Sequence, residues 1–368
     1  MALLPSRLSR YWLGLLIVVL VYFPFYARGL EGSSFWLVLA TLVLIASIGA
    51  VGLNLLSGFA GQISLGHAFF LGVGAFVGAT LSTPASTTLS GVSFWGLGLP
   101  WWVGVLGGGA VAALFGLVVG PAAVRLRGLY LSLVTLGLVF FGDFLFTAPA
   151  LEKITGAVRG RRSAPVSFVF PGMESAPFIE GNSEALYFAA LIVAVVGFVA
   201  AKNLMRGRVG RAFQATRDHD IAAEVLGVNV TWAKLTAFGV SSFYAGAAGA
   251  LLGVFQANPI GSNFGGAAGL LVSIQYVAMI VIGGIGTILG AALGAVFVIA
   301  LPELVKFLTG QGWLPFVAET GGGSFDESAF STVLFGLFIV LFLLYEPLGL
   351  YGLWLRARNY WKGWPFKY

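Results

Sequence analysis

The feature that most constrains this chain is a series of ten apolar runs, most of them long enough to cross a bilayer, joined by short connections that hold nearly all the charge. They fall at Tyr11–Tyr26, Phe35–Leu56, Leu65–Thr80, Trp101–Val124 and Tyr130–Phe146, then at Ala185–Ala201, Trp232–Phe255, Gly269–Ile282, Thr287–Phe307 and Ala329–Tyr345. A backbone in hydrocarbon must bond all its N–H and C=O groups internally, so continuous runs of this length read as helices. A membrane β-barrel is set aside, because its strands alternate apolar and polar residues over about ten positions. Only 9% of the residues are charged and 58% are hydrophobic, too few polar groups to cover a water-soluble globule. The reading is an all-α polytopic membrane protein, one domain over 1–368, with about ten transmembrane or partly re-entrant helices. The short third and eighth runs are the candidates for re-entrant segments.

The first run follows Arg7 and Arg10, as a signal peptide does. Its apolar stretch is long for such a segment, and Ala27-Arg28-Gly29 is a poor cleavage site, so the expectation is an uncleaved first helix.

Charge placement orients the bundle. Ten crossings from an inside N-terminus put Arg7, Arg10, Arg125, Arg127, Lys202, Arg206, Arg208, Arg211, Arg217, Lys234, Arg356, Arg358, Lys362 and Lys367 on the inner side. That is 14 of the 20 basic residues, and four of the remaining six lie in the long 147–184 connection, where the positive-inside rule is weak. The expected topology is N-in/C-in, with 147–184 outside, 202–230 a cytoplasmic loop and 346–368 a cytoplasmic tail. Tyr11, Trp12, Trp101, Trp102, Trp354, Trp361 and Trp364 sit at run edges as interfacial anchors. The net charge of +6 thus serves membrane orientation, and no nucleic-acid partner is expected. With no cysteine and only His67 and His219, no metal centre or catalytic nucleophile is expected either.

Glycines recur at four-residue spacing inside the runs, as Gly74/Gly78, Gly104/Gly108, Gly249/Gly253 and Gly286/Gly290/Gly294. Such spacing lets helix backbones approach closely. Gly58-Phe-Ala-Gly61 before Leu65-Gly66 also echoes Gly283-Gly-Ile-Gly286 before Leu289-Gly290. Either a parallel duplication or chance in a glycine-rich chain accounts for the echo.

The loop at 202–230 carries the most specific pattern. Asp218 or Asp220 is placed to cap a short helix that Gly227 ends. Ile221, Val225 and Leu226 form an apolar side, Arg217, Asp218 and Glu224 a polar one, and Ala222 and Ala223 permit close approach. In isolation this reads equally as an amphipathic loop resting on the membrane surface. However, Asp220-Ile-Ala-Ala-Glu-Val-Leu-Gly-Val-Asn-Val, with Lys234-Leu-Thr-Ala-Phe and Tyr244-Ala-Gly-Ala-Ala-Gly, resembles the ATPase-coupling region of ABC importer permeases of the LivM type. Gly52-Leu-Asn-Leu-Leu-Ser-Gly-Phe-Ala-Gly-Gln-Ile-Ser-Leu-Gly-His67, Arg125-Leu-Arg-Gly-Leu-Tyr-Leu-Ser-Leu-Val-Thr-Leu136 and Met279-Ile-Val-Ile-Gly-Gly-Ile-Gly-Thr-Ile-Leu-Gly290 are similar to the same family, in the family's order, across roughly residues 40–345. The 147–184 and 309–328 segments are less typical of it.

The resemblance implies a permease subunit of a branched-chain amino-acid importer in a prokaryotic cytoplasmic membrane. It implies as partners a second, LivH-like permease subunit, two cytoplasmic ATPase subunits and an extracytoplasmic amino-acid-binding protein. The sequence contains no G-x-x-x-x-G-K-[ST] loop, so nucleotide binding belongs to another chain and no cofactor is expected in this one. A permease for urea or amides fits the same resemblance. A secondary transporter would leave the coupling pattern unexplained.

Polar residues inside apolar runs mark a candidate path, since a charge at mid-membrane costs about 2.5–3.5 kcal/mol on insertion scales. Ser132, Thr135 and Asp143 form a stripe on the fifth run with Val139, and Asp143 is either a path-lining carboxylate or a solvated group at the outer interface. Asn54, Gln62, Ser64 and His67 surround a break between the second and third runs. They either face a cavity or satisfy the broken backbone. Gln275, and Glu303 beside Pro302, are weaker candidates.

Overall fold

The computed structural model describes residues 18–27, 33–84, 88–89, 92–126, 128–166, 182–310, 317–318, 325–346 and 348–363. Arg7, Arg10, Tyr11, Trp12, Arg28, Arg127, Trp364 and Lys367 lie outside them, as do most of the loop glycines after position 310.

Each apolar run folds as a helix over its described residues. In chain order these are α1 (Val18–Ala27), α2 (Ser33–Asn54), α3 (His67–Ser82), α4 (Trp101–Arg125) and α5 (Leu129–Thr147). The one-turn α6 (Glu152–Thr155) precedes α7 (Asn182–Arg206), and two polar helices follow, α8 (Arg208–Asp218) and α9 (Asp220–Val225). Then come α10 (Val230–Phe255), α11 (Gly266–Gly283), α12 (Ile288–Gly310), α13 (Glu327–Tyr345) and the tail helix α14 (Gly349–Gly363). Two pairs of two-residue strands are the only extended pairing among the described residues. Seven helices are long and apolar enough to cross a membrane; α1, α3 and part of α13 are apolar but shorter.

α10 is the axis of the bundle, packed against α2, α3 and α4. Small residues make that possible. A methyl on Gly78 would sit 2.7 Å from the Ala250 Cβ, one on Gly108 2.8 Å from the Gly74 carbonyl oxygen, and one on Gly253 3.2 Å from Ala75 Cα. Gly74 abuts the Gly246 backbone and Gly249 the Leu71 carbonyl. Three of the four glycine pairings read from the sequence therefore meet in one α3–α4–α10 interface. The fourth closes the α11–α12 hairpin, with Gly290 against the Gly283 carbonyl and Gly294 against that of Met279. α2 covers the other side of α10 and packs in turn on α7, α11 and α12. Tyr244 Oη donates to the Gly197 carbonyl at 2.7 Å, tying α10 to α7, and Tyr187 Oη donates to the Leu20 carbonyl at 2.8 Å, tying α7 to α1.

Alternating helix directions gather the connections 55–66, 207–229 and 284–287 at one end of the bundle. The connections 83–100, 148–166 and 256–265 gather at the other. That second end is closed by Arg161, whose guanidinium is fully buried. It donates to the carbonyls of Lys153 at 2.9 Å, Ile154 at 2.8 Å and Trp95, and lies 5.3 Å from the Phe94 ring centroid. Burial pushes this guanidinium down to about 10, so it still carries its charge at neutral pH.

Candidate functional site

The break after α2 begins as a π-helical turn, Leu55–Phe59, of the kind that accompanies functional sites in helices. Gly61, at φ +70°, then turns the chain toward α3. Several groups freed by the break have identifiable partners. Gln62 N donates to the Leu56 carbonyl at 3.1 Å, and Ser57 Oγ donates to the Gln62 carbonyl at 3.0 Å. Gly66 N donates to Ser64 Oγ at 3.3 Å, Leu65 N to Thr135 Oγ1 at 3.0 Å, and Ala68 N to Ser273 Oγ at 3.1 Å. Thr135 Oγ1 also donates to the Ser132 carbonyl at 3.0 Å. Ser132 Oγ donates to the Gly128 carbonyl at 3.4 Å, so Ser64, Ser132 and Thr135 all spend their hydroxyls on backbone; for Ser64 this is the second of the two readings open at the break. Ser132 and Thr135 are buried on the inner face of α5 with Val139, as their spacing predicts.

Two polar side chains at the break differ. The amide of Gln62 and Nε2 of His67 are buried and have no hydrogen-bond partner among the described residues. His67 packs against Tyr276 of α11, with ring centroids 4.7 Å apart.

The echo between residues 58–66 and 283–290 acquires a spatial meaning. Asn54 Oδ1 accepts from Gly286 N at 2.9 Å, and Asn54 Nδ2 donates to the Thr287 carbonyl at 2.7 Å. The α2–α3 break and the α11–α12 turn therefore form one joint.

A third element reaches that joint. Arg217, in the last turn of α8, is exposed along its stem, and its Nη1 donates to the Gly58 carbonyl at 2.6 Å. A methyl on Gly61 would lie 3.1 Å from Arg217 Cγ, and one on Gly286 3.0 Å from its Nη1. Both glycines also sit at positive φ, +70° and +77°, where a side chain would be strained as well as crowded against Arg217.

The 202–230 segment folds as two helices where the sequence suggests one. Asp220 is the first residue of α9 rather than its cap; its Oδ1 accepts from Ile221 N at 3.0 Å and its Oδ2 lies 3.6 Å from Lys234 Nζ. Gly227, at φ +82°, ends the turn as expected. Ile221 is 69% exposed, Val225 83% and Leu226 82%. Asp218, Ala222 and Glu224 are exposed beside them. Ala223 departs from the expected face: it is 3% exposed, turned inward against its own chain. A six-residue helix has one side toward the protein, and at this pitch that side falls on position 223. Below α9 lies a cavity of about 250 Å³ lined by Gln62, Leu131, Thr216, Arg217, His219 and Lys234, among others.

The remaining candidates do not join this constellation. Asp143 is half-buried toward the opposite end of α5, with its backbone against Gly265 and its carboxylate 3.4 Å from where a Gly266 methyl would be, at the start of α11. Gln275 is exposed on α11. Glu303 sits on α12 and pairs with Lys306 at 3.1 Å. Ser273 and Tyr276 were not singled out by the sequence, although they follow at four- and seven-residue spacing from Gly269 on the buried face of α11. The inward reach of Arg217 left no signal in a loop where every second cation is a plausible surface charge.

Residues 35–343 match the family described as branched-chain amino acid transport system / permease component. The chain is 30% identical over 363 residues to the high-affinity branched-chain amino acid transport system permease protein LivM of Salmonella typhimurium, covering 93% of this chain and 75% of that protein. It is 29% identical to the Escherichia coli LivM over the same shares of the two chains. It is also 26% identical to BraD of Pseudomonas aeruginosa, a permease protein of the same kind of system, over 82% of this chain and 90% of that one. No solved structure matches the chain.

Proposed function

The chain is a member of the branched-chain amino-acid transport permease family, and from that membership we propose that it is the membrane-spanning subunit of an ATP-driven ABC importer for branched-chain amino acids. It is a multi-pass membrane protein, and a bacterial inner membrane suits it. In this reading a LivH-like permease subunit completes the path, two ATPase subunits dock on the cytoplasmic side, and a solute-binding protein delivers cargo outside. ATP is hydrolysed by the partner subunits, and this chain needs no cofactor of its own.

The observation that carries the docking assignment is α9. A short helix that presents Ile221, Val225 and Leu226 outward, on polar connections rather than in the apolar bundle, fits a soluble partner's cleft. The basic residues of α8 favour the cytoplasmic side for that end, by the positive-inside rule. Ten crossings with N-in/C-in topology follow if α1, α3 and α13 also span.

The test is reconstitution with the ATPase subunits and the loaded binding protein in proteoliposomes. Leucine, isoleucine or valine is expected to stimulate ATP hydrolysis and to accumulate inside. Stimulation by urea or amides instead would reassign the cargo. Uptake driven by an ion gradient without ATP would overturn the importer reading.

A further inference from the structure

We propose that Arg217 is the latch that carries movement of the docking helices to the joint between the two broken helix pairs, and so couples partner engagement to opening of the path. The inference rests on the reading of α8 and α9 as the ATPase-docking segment, and goes beyond it by naming how that segment grips the bundle.

Four observations support it. Arg217 is the penultimate residue of α8, two residues before the α8–α9 elbow at His219, so a displacement of α9 is passed to it through a short stretch of chain. Its guanidinium donates at 2.6 Å to the Gly58 carbonyl, inside the π-helical turn, the one part of α2 whose ladder is already irregular. The same Nη1 lies over Gly286, whose own N–H is held by Asn54. One side chain therefore touches both halves of the joint, α2–α3 through Gly58 and Gly61, α11–α12 through Gly286. Finally, the joint is not at rest chemically. The Gln62 amide, three residues beyond the π-turn, is buried with no partner among the described residues. A buried polar group is costly to leave unpaired, so a rearrangement of the joint that gave this amide a partner would be favoured.

A guanidinium suits this task better than an ammonium, because its planar fork fixes direction as well as charge. Arg217 is a positioning residue: it touches backbone, not cargo.

The experiment compares R217Q and R217K in the assembled, reconstituted complex, with spin labels at positions 219 and 285 in a chain that has no native cysteine. In the parent protein, trapping ATP is expected to change the 219–285 distance in step with transport. R217Q is expected to keep its ATPase subunits on co-purification, to lower transport per ATP hydrolysed at least tenfold, and to uncouple the 285 label from nucleotide. R217K is expected to recover part of the transport. Unchanged transport per ATP in R217Q would overturn the latch. So would loss of the ATPase subunits from R217Q, which would make Arg217 a docking contact. Failure of the docking reading itself shows separately, as retention of the ATPase subunits when Ile221 and Leu226 carry charges.

Discussion

Asn54 and Gly286, 232 positions apart, share a hydrogen bond of 2.9 Å, and the other half of the Asn54 amide bonds the neighbouring Thr287 carbonyl at 2.7 Å. A side-chain amide holds a donor and an acceptor on separate atoms and so can serve two adjacent peptides at once, and Asn54 is 1% exposed. Asn54→Ala would leave both peptide groups buried and unpaired, at about 1–3 kcal/mol each. Asn54→Asp keeps the acceptor but loses the donor. Both variants are expected to lower the thermal unfolding midpoint of the detergent-solubilised subunit, Ala by more than Asp, and to reduce uptake. An unchanged midpoint in Asn54→Ala would show that the joint is not held by this residue.

The small-residue interface makes a sharper contrast. Gly74 and Gly249 face backbone of the neighbouring helices, which cannot move aside as a flexible side chain can. Gly137, on α5, has nothing within 4 Å of where a Cβ would be. Gly74→Val and Gly249→Val are therefore expected to prevent folding into a monodisperse subunit, since overpacking alone costs about 1–3 kcal/mol even where side chains can give. Gly137→Ala is expected to be silent. Size-exclusion profiles of the three, purified side by side, check the ordering.

Much of this architecture is legible in the sequence because the solvent imposes it. Apolar length fixes the helices, and the glycine pairs at four-residue spacing announce the interfaces that they make. The break around Asn54–His67 is visible for the same reason: polar residues in a row interrupt an apolar run. What is not legible is pairing across the chain. Nothing local says that Asn54 meets Gly286, or that the Arg217 guanidinium reaches the Gly58 carbonyl while that of Arg211 stays with the nearby Arg206 carbonyl. Ala223 illustrates the limit on the smallest scale, since α9 is too short for periodicity to say which of two adjacent alanines faces the protein. The tail helix α14, anchored where Arg356 Nη2 meets Glu346 Oε2 at 2.5 Å, is likewise hidden in what reads as a polar tail.

Asp143 is tested by charge removal. It is half-buried beside the glycine start of α11, at the end of the bundle that Arg161 closes. If it meets the cargo ammonium, Asp143→Asn is expected to raise the concentration needed for half-maximal uptake about tenfold or more, with assembly intact. Equal kinetics would leave it as a solvated interfacial carboxylate.

Topology has a direct check, because the chain has no cysteine to interfere. Single cysteines at Arg211 and Arg356, both exposed, are expected to react with an impermeant maleimide only in inverted vesicles. One at Arg159, exposed at the opposite end, is expected to react only in right-side-out cells. Labelling of positions 159 and 211 from the same side would contradict the single crossing, α7, between them.

The docking prediction turns on which residues of α9 face outward. A charge at Ala223 would strain the packing of α9 on its own chain, so it reports on folding and not on the partner. Ile221 and Leu226 are the informative positions, because both are exposed by more than two thirds and neither supports the bundle. Burying one such side chain in a partner's cleft contributes about 1.5–3 kcal/mol, and a charge in its place adds the cost of an unpaired ion in a dry contact. Leu226→Glu is therefore expected to weaken ATPase binding by about tenfold to a hundredfold, and Ile221→Glu with Leu226→Glu to abolish co-purification. Both variants should insert and elute as the parent subunit does, since exposed positions carry little of the fold. Glu224→Gln, a polar change on the rim of the same surface, is expected to shift binding severalfold at most. If the double variant retained its ATPase subunits and transported at the parent rate, α9 would not be the docking helix, and the contact would have to be sought on α8 or α14.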